Sequence, residues 1–258
     1  MKDKAIGVID SGIGGLTVMR EILRQLPNEK IVYVGDDVHS PYGERTAEDI
    51  VQLSLKLISS DELSNIKALV IACNSITVYA LDEIIKNSTV PVIGVVEAGV
   101  QAIVDSTKNK KIGVLATNAT VNSGVYKDKI LSFISDAAVT SVPAPKLHMM
   151  AQDHLDKIVC NPSQEVKDLV LEHVQAFMDA GCDTVLMGCT HFPPYKDIIN
   201  EIMGPDVNVV DPSYYTALNL KKSLEENNTA SDSQGSYKII STAGNDEKFK
   251  QFSELIFK

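Results

Sequence analysis

Two of the four cysteines stand where a thiol can act as an acid or a base. Cys73 and Cys189 each follow an apolar run that predicts a buried strand, and each precedes a segment that predicts a helix. The free amide groups at the start of a helix favour a thiolate, the form of cysteine that takes up a proton. The alternative for each residue is burial as a small apolar side chain. Their placement therefore indicates acid/base chemistry, with simple packing as the competing interpretation.

Residues that can assist these thiols lie nearby in the sequence. His191 follows Cys189 by two residues, so its imidazole can help that thiol to move a proton. Asp10 ends the first predicted strand and can assist Cys73, provided that the first and third strands are neighbours. A zinc site is the weaker alternative, because no cysteine belongs to a CxxC pair and the pattern offers no fourth ligand.

The other cysteines and histidines carry no comparable pattern. Cys160 and Cys182 are predicted to be ordinary packing residues. No function is assigned to the remaining histidines, which lack a partner motif: His39, His148, His154 and His173.

A glycine-rich loop follows the first predicted strand. It reads DSGIGG over 10–15, but Thr17 stands where the dinucleotide pattern GxGxxG needs glycine, and no lysine follows as in a P-loop. Nucleotide binding is therefore disfavoured. The loop predicts either a tight turn into a helix, capped by Asp10 or Ser11, or a close approach of backbone to an anionic ligand.

These residues are held by alternating short β-branched runs and longer amphipathic segments, the pattern of a parallel α/β sheet. The clearest helix is predicted over 163–180, where apolar residues recur at helical spacing before Gly181. Strands are predicted at 5–10, 30–35, 68–73, 90–95, 111–116, 139–142, 184–188, 207–211 and 237–241.

The two halves of the chain resemble each other at two places. Residues 6–12 (IGVIDSG) are echoed at 112–118 (IGVLATN), and 69–75 (LVIACNS) are echoed at 185–191 (VLMGCTH). The second echo aligns Cys73 with Cys189. This pattern favours two related α/β lobes, although any two parallel strands look alike.

The composition is that of an ordinary folded protein. Of the 258 residues, 44% are hydrophobic and 22% are charged. The formal net charge of −10 opposes sequence-independent binding to nucleic acid or anionic lipid. Apolar runs fall short of the roughly 18 residues that a membrane span needs, and no export signal is evident at the start. We therefore expect a cytoplasmic protein with reduced thiols and with neither nucleic acid nor membrane as main partner.

Six segments between residues 9 and 193 occur in the order of a known family. They read IDSGIGGLTV (9–18), SPYGER (40–45), ACNS (72–75), VPVIGVVEAG (90–99), LATNATVNSGVY (115–126) and GCTHFP (188–193). In these segments the chain resembles the glutamate racemases of the aspartate/glutamate racemase superfamily, which are cofactor-independent isomerases of bacterial wall synthesis.

The resemblance implies a two-base interconversion of L- and D-glutamate, without pyridoxal phosphate or metal. Cys73 and Cys189 are implied to stand on opposite faces of the substrate α-carbon. Asp10 is implied to assist Cys73, and His191 to assist Cys189. The residues implied to hold the substrate are Asp10, Ser11, Tyr42, Gly43, Asn74, Ser75, Thr117, Thr120 and Thr190.

The resemblance also implies the architecture and the cellular role. The expected fold is α/β, with two similar domains that have mainly parallel sheets, are related by a pseudo-twofold axis and enclose the site in their cleft. The expected first domain comprises 1–96 plus 207–258, and the second comprises 97–206. A homodimer that supplies D-glutamate for peptidoglycan, and so for cell wall biogenesis and cell shape, is implied as well.

Three departures from the family pattern bear on substrate choice. Ser75 replaces a threonine, and Asp211-Pro-Ser213 stands where the family tends to read Asp-Ser. Gln152 occupies the place of a glutamate that supports the family's active-site histidine, so Gln152 or Asp153 is expected to substitute for it. An aspartate or broad-specificity racemase is therefore an alternative. A non-catalytic binder of small acids on the same scaffold is a second one.

Overall fold

The computed structural model describes residues 2–257, which form nine parallel strands and twelve α-helices. The strands are β1 (Ala5–Asp10), β2 (Lys30–Gly35), β3 (Ile66–Ile71), β4 (Val92–Gly94), β5 (Lys111–Ala116), β6 (Ala138–Pro143), β7 (Thr184–Gly188), β8 (Asn208–Val210) and β9 (Ser236–Ser241).

Two separate sheets share one strand order. The first runs β4-β3-β1-β2-β9 and the second runs β6-β5-β7-β8. Matching β1 to β5, β2 to β6, β3 to β7 and β4 to β8 superimposes the two orders, with β9 as an added edge strand. The sequence echoes fall on the matched pairs β1/β5 and β3/β7. The prediction of an α/β fold with two similar parallel lobes is confirmed; we call them the first lobe (β1–β4 and β9) and the second lobe (β5–β8).

Helices cover these sheets. In chain order they are α1 (Leu16–Gln25), α2 (Ala47–Ile58), α3 (Asn74–Asn87), α4 (Val95–Ser106), α5 (Asn118–Ser123), α6 (Val125–Phe133), α7 (Pro145–Asp153), α8 (Leu155–Val159), α9 (Gln164–Ala180), α10 (Lys196–Met203), α11 (Ser213–Glu226) and α12 (Asp246–Ile256). Short 3₁₀ turns lie at Tyr42–Glu44, Asp61–Leu63 and Pro193–Tyr195. Within residues 2–257, no helix is both long enough and apolar enough to cross a membrane.

The helix predicted over 163–180 forms with both of its expected ends. The Ser163 hydroxyl caps α9 by accepting from the Val166 amide. Gly181 ends the helix with φ of +66°, a left-handed conformation that glycine adopts without strain.

The central strands are buried on both faces, which explains their continuous apolar runs. Along β3, Ala68 and Val70 pack into one core cluster, whereas Leu69 and Ile71 pack into another on the opposite face. In β5 the alternation separates Val114 from Leu115 in the same way.

One predicted boundary differs from the structure. The first domain was expected to resume at residue 207, but β8 pairs with β7 in the second sheet, and the chain continues into α11 only afterwards. The three-residue strand β8 is too short for its pattern to indicate which sheet it joins. The remainder of the domain division stays a prediction.

A buried ion pair stabilises the first lobe far from the cleft. Lys67, in β3, pairs through Nζ with the carboxylate of Glu29, and both side chains are fully or almost fully buried. Lys67 Nζ also donates to the carbonyl oxygens of Lys2 and Thr229, at 2.9 and 2.8 Å. Glu29 in turn accepts from the Ser231 amide at 2.8 Å. The pair therefore connects β3 to the segment that leads into β9.

We expect Lys67→Ala to lower the free energy of unfolding by about 3–5 kcal/mol, because it leaves the Glu29 carboxylate buried without a countercharge. Urea unfolding followed by circular dichroism measures the change. The matched control is Lys86→Ala, which removes an exposed lysine paired with Glu83 and is expected to leave the free energy of unfolding almost unchanged. Equal effects of the two variants would contradict a structural role for the buried pair.

Candidate active site

The predicted catalytic residues lie at the carboxyl ends of central strands in both lobes. Asp10 is the last residue of β1, and Cys73 is the N-cap of α3 just after β3. Because β1 and β3 are neighbours in the first sheet, the condition for contact between these two residues is met. In the second lobe, Thr117 caps α5 after β5, and Cys189 directly follows β7.

The two lobes touch at these strand ends. The Thr190 hydroxyl, from the second lobe, donates to Oδ2 of Asp10 at 3.1 Å. The Thr17 hydroxyl donates to the Thr190 carbonyl at 3.2 Å. A Cβ atom on Gly14 would lie 2.5 Å from both Nδ1 of His191 and Oγ1 of Thr190, so only glycine permits this approach. The glycine-rich loop thus serves as an inter-lobe contact.

Asp10 is a buried carboxyl group with an altered acidity. Its side chain has no exposed surface, and burial raises its pKa from 3.8 to about 7. Hydrogen bonds from the Gly12 amide and the Thr190 hydroxyl to its oxygens lower the pKa but only partly offset burial. Asp10 can therefore hold or release a proton near neutral pH.

Cys73 contacts the Asp10 loop. Its thiol donates to Oγ of Ser11 at 3.5 Å, and the Ser11 hydroxyl lies 3.5 Å from Oδ1 of Asp10. Burial, followed by the negative charge of Asp10, raises the pKa of Cys73 to about 12. The backbone amides of Ile76 and Ser11 act in the opposite direction, as a helix start does. The thiol, hydroxyl and carboxyl groups form a short chain along which a proton can move.

Cys189 lies between two imidazoles. Its Sγ is 3.6 Å from Nδ1 of His148 and 3.9 Å from Nδ1 of His191. Burial raises the pKa of this thiol, the His191 backbone amide lowers it, and the charges of Cys73 and Asp10 raise it further. A negative charge on Cys73 thus disfavours a negative charge on Cys189, because like charges repel.

Both imidazoles beside Cys189 are buried and neutral. Burial lowers the pKa of His148 to about 4 and that of His191 well below 6.5. The two rings lie 4.0 Å apart between centroids. His191 Nε2 lies 2.6 Å from Oε1 of Gln152, so Nε2 carries the proton and Nδ1 presents a lone pair to the thiol. Gln152 therefore supports His191, whereas Asp153 points to Lys248 at 3.5 Å.

Three of the nine predicted binding residues form a cluster of neutral hydroxyl groups. The Ser75 and Thr117 hydroxyls lie 3.1 Å apart across the lobes, and Thr117 Oγ1 donates to Thr120 Oγ1 at 3.1 Å. A Cβ atom on Gly43 would lie 2.7 Å from Cβ of Thr117, so the loop of the first lobe packs closely against the second. Such hydroxyls can donate to a carboxylate and accept from an ammonium group.

Tyr42 and Asn74 use their side chains to hold other parts of the protein. The fully buried Tyr42 donates its hydroxyl to Oδ2 of Asp36 at 2.6 Å. Asn74 accepts at Oδ1 from the Tyr126 hydroxyl at 2.6 Å, which leaves its amide nitrogen available. The Tyr42 hydroxyl is therefore separate from the hydroxyl cluster, although its neighbour Gly43 contacts that cluster.

His148 is the site residue that the sequence analysis missed. It was assigned no function for lack of a partner motif, yet its ring is nearer to the Cys189 thiol than that of His191. The signal in the sequence is its spacing from Gln152: four residues apart on α7, both side chains emerge on the same helical face. That signal becomes visible only once Gln152 is known to contact His191.

Comparison with known proteins identifies relatives over nearly the whole chain. A family model described as Asp/Glu/hydantoin racemase matches residues 6–217. The chain is 38% identical over 252 residues to a protein named glutamate racemase from Carnobacterium sp. (strain St2), covering 96% of this chain and 92% of that protein.

Solved structures agree with the sequence relatives. Glutamate racemase isoform RacE1 from Bacillus anthracis superimposes with a TM-score of 0.92 at 31% identity, covering 98% of this chain and 94% of that one. A glutamate racemase from Francisella tularensis, determined in complex with D-glutamate, superimposes with a TM-score of 0.89 at 31% identity, covering 100% and 94%.

The raised pKa of Asp10 predicts a specific pH dependence of stability. The unfolded chain loses the Asp10 proton near pH 3.8, whereas the folded chain keeps it until about pH 7. The stabilising contribution is therefore complete below pH 3.8 and is lost as the pH rises through 7. Relative to Asp10→Asn, we expect the wild-type free energy of unfolding to fall by about 2–3 kcal/mol between pH 5 and pH 8, measured by urea unfolding.

Asp136→Asn provides the control for this measurement. Asp136 is exposed, and its lowered pKa keeps it ionised throughout pH 5–8 in both states. Its stability difference from wild type should not change over that interval. The difference in free energy of unfolding between wild type and Asp10→Asn could prove equally constant. Asp10 would then titrate in the folded protein as it does in the unfolded one, which would contradict a protonated, buried Asp10.

Proposed function

The chain belongs to the Asp/Glu/hydantoin racemase family, and we propose that it is a glutamate racemase that interconverts L- and D-glutamate without a cofactor. The observation that carries this proposal is the pair of buried thiols, Cys73 and Cys189, at the ends of the equivalent strands β3 and β7. Inverting a stereocentre through a planar intermediate requires a base on one face and an acid on the other. Thiols supplied by two facing lobes meet that requirement.

In the proposed reaction one cysteine acts as a thiolate and removes the α-proton. The other, as a thiol, donates its own proton to the opposite face of the carbanion. Each turnover therefore moves one proton equivalent from one thiol to the other, and the reverse reaction exchanges their roles. The positive ammonium group of a bound amino acid lowers the pKa of both buried thiols, which favours the thiolate when substrate is present.

Neighbouring groups restore the protonation state of each thiol. On the first lobe, Ser11 connects Cys73 to Asp10, whose pKa of about 7 allows it to exchange protons with the medium. On the second lobe, the lone pair at Nδ1 of His191 faces Cys189 and can accept its proton. Asp10 and His191 are thus assigned as the assisting residues of Cys73 and Cys189.

We assign substrate binding to Asp10, Ser11, Tyr42, Gly43, Asn74, Ser75, Thr117, Thr120 and Thr190. Apart from Asp10, these residues offer neutral groups. Neutral donors orient carboxylates without the tight ion pairing that would oppose product release. The same preorganised donors stabilise the negative charge that develops when the α-proton leaves.

Glutamate is the favoured substrate over aspartate. The support comes from proteins named glutamate racemase: one sequence relative with high coverage and two solved structures, one of which was determined with D-glutamate. Gln152 stands in place of a carboxylate, so His191 is hydrogen-bonded to a neutral amide. This affects the imidazole that assists Cys189. It does not alter the hydroxyl cluster of Ser75, Thr117 and Thr120. We infer that the substitution tunes rate and pH dependence more than substrate choice.

The cellular role follows from the proposed activity. We propose that the D-glutamate formed enters peptidoglycan synthesis, and so cell wall biogenesis and the maintenance of cell shape. We further propose that the enzyme works in the cytoplasm as a homodimer, as its resemblance to the family implies.

The first test is incubation of the purified protein with L-glutamate in D2O without added cofactor. We expect loss of optical rotation together with deuterium at the α-carbon, because the proton that is returned comes from a thiol in exchange with solvent. Proton exchange is followed by NMR and chirality by circular dichroism. A parallel incubation with L-aspartate identifies the preferred acid. Absence of α-proton exchange for both acids in a folded sample would contradict the proposal.

The second test removes each proposed base. Cys73→Ala and Cys189→Ala are each expected to lower kcat for racemisation by at least about 1000-fold, because no other group replaces the missing acid or base. The matched control is Cys160→Ala, which removes an exposed thiol and should leave kcat unchanged. Retained activity in either active-site variant, or loss of activity in a folded Cys160→Ala protein, would show that the wrong thiols have been chosen.

A further inference from the structure

Three side chains that can ligate a metal converge at the second-lobe side of the cleft. Each of His148, Cys189 and His191 offers a ligand atom within 4.8 Å of those of the other two, and all three side chains are buried. The sequence pattern offers too few ligands around the cysteines to predict a metal site. His148 adds one more ligand, because the fold brings it to Cys189.

The spacing of these donors matches the edges of a tetrahedral zinc site. With Zn–S of about 2.3 Å and Zn–N of about 2.0–2.1 Å, a tetrahedral ion holds its sulfur and nitrogen ligands about 3.6 Å apart. The observed Sγ to Nδ1 distances are 3.6 Å for His148 and 3.9 Å for His191. Along these two sulfur–nitrogen edges an ion needs shifts of no more than a few tenths of an ångström.

The residues around the ligands also suit a metal. Histidine ligands commonly donate their second ring N–H to an oxygen acceptor, which fixes the ring and leaves the other nitrogen free for the metal. His191 has this arrangement through Gln152. In His148, Nε2 is buried with no hydrogen-bond partner among the described residues, so its polar contact is made through Nδ1, on the side of the thiol.

Cys189 is the shared neighbour of both rings, with its Sγ close to Nδ1 of each. A divalent cation bound to the thiolate contacts the sulfur and both nitrogens at once. Thiolate and imidazole ligands select borderline ions such as Zn²⁺ and discriminate against Mg²⁺ and Ca²⁺.

We propose that His148, Cys189 and His191 bind Zn²⁺, and that the ion inhibits the enzyme reversibly by holding Cys189 as a metal-bound thiolate. Binding replaces the S–H bond by a Zn–S bond and releases one proton to solvent, while water completes the coordination. No electron transfer is involved. The binding step stands on these three residues alone, whereas the inhibitory step rests on the proposed function of Cys189.

The test begins with metal binding to the tag-free, chelator-treated full chain. Isothermal titration calorimetry should give one Zn²⁺ per chain, with no response to Mg²⁺. Titration with Co²⁺ should give a thiolate-to-cobalt charge-transfer absorption band, which reports on sulfur ligation independently of activity. Racemisation of L-glutamate should fall in proportion to zinc occupancy and recover on addition of a chelator.

Variants identify the ligands. His148→Leu is expected to raise the Kd for Zn²⁺ at least tenfold. Loss of a residue that only supports a metal ligand already weakens binding by about tenfold or more, so loss of a ligand should cost at least as much. Cys189→Ser should abolish the charge-transfer band. This variant tests the site independently if His148→Leu does not fold. Cys160→Ser removes the exposed thiol and should leave both Kd and band unchanged.

The outcomes separate the binding proposal from the proposed function. An unchanged Kd in folded His148→Leu, or a charge-transfer band that persists in Cys189→Ser, would overturn the site. Full racemase activity in the zinc-saturated wild type would overturn inhibition. Stoichiometric zinc binding by a protein that does not racemise glutamate would support the site while contradicting the proposed function.

Discussion

The contact of Thr190 with Asp10 is the interaction on which the geometry of the cleft depends. It joins the end of the first strand of one lobe to the residue that follows Cys189 in the other. Because Asp10 is fully buried, its oxygens must be satisfied by protein groups, and Gly12, Ser11 and Thr190 are placed to do so. These hydrogen bonds let the lobes meet over a buried carboxyl group, next to which both thiols are buried as well.

The duplicated strand order explains how one chain places a cysteine at the equivalent strand end of each lobe. In each lobe the third strand lies beside the first, and each third strand leads to a cysteine: Cys73 after β3 and Cys189 after β7. The duplication is not complete. Cys73 faces a carboxyl group through Ser11, whereas Cys189 faces two imidazoles, so the same scaffold surrounds its two thiols with different proton carriers.

The sequence predicts what is encoded locally and misses what the fold brings together. Strands β1, β2, β5 and β7 are predicted to the residue, because burial on both faces gives continuous apolar runs bounded by turns. The cysteine positions follow from the same strands. His148 is missed because its partners, Cys189 and His191, are 41 and 43 residues away along the chain. Only the fold brings α7 next to these residues, which follow β7. Tyr42 lies in a recognised motif, yet the fold directs its hydroxyl to Asp36.

The similar burial of the two thiols bears on the reversibility of the proposed reaction. L- and D-glutamate have equal free energies in water, so the proposed reaction runs in both directions, and in it each thiol serves as base in one direction and as acid in the other. Two thiols of very different acidity would trap the proton on one side. Here both are 5% exposed, and burial is the largest cause of the raised pKa of each. The charge of Asp10 raises the pKa of both thiols, and the two neutral imidazoles beside Cys189 add no positive charge that would favour its ionisation. The arrangement therefore leaves the charge and handedness of the bound amino acid to decide which thiol ionises.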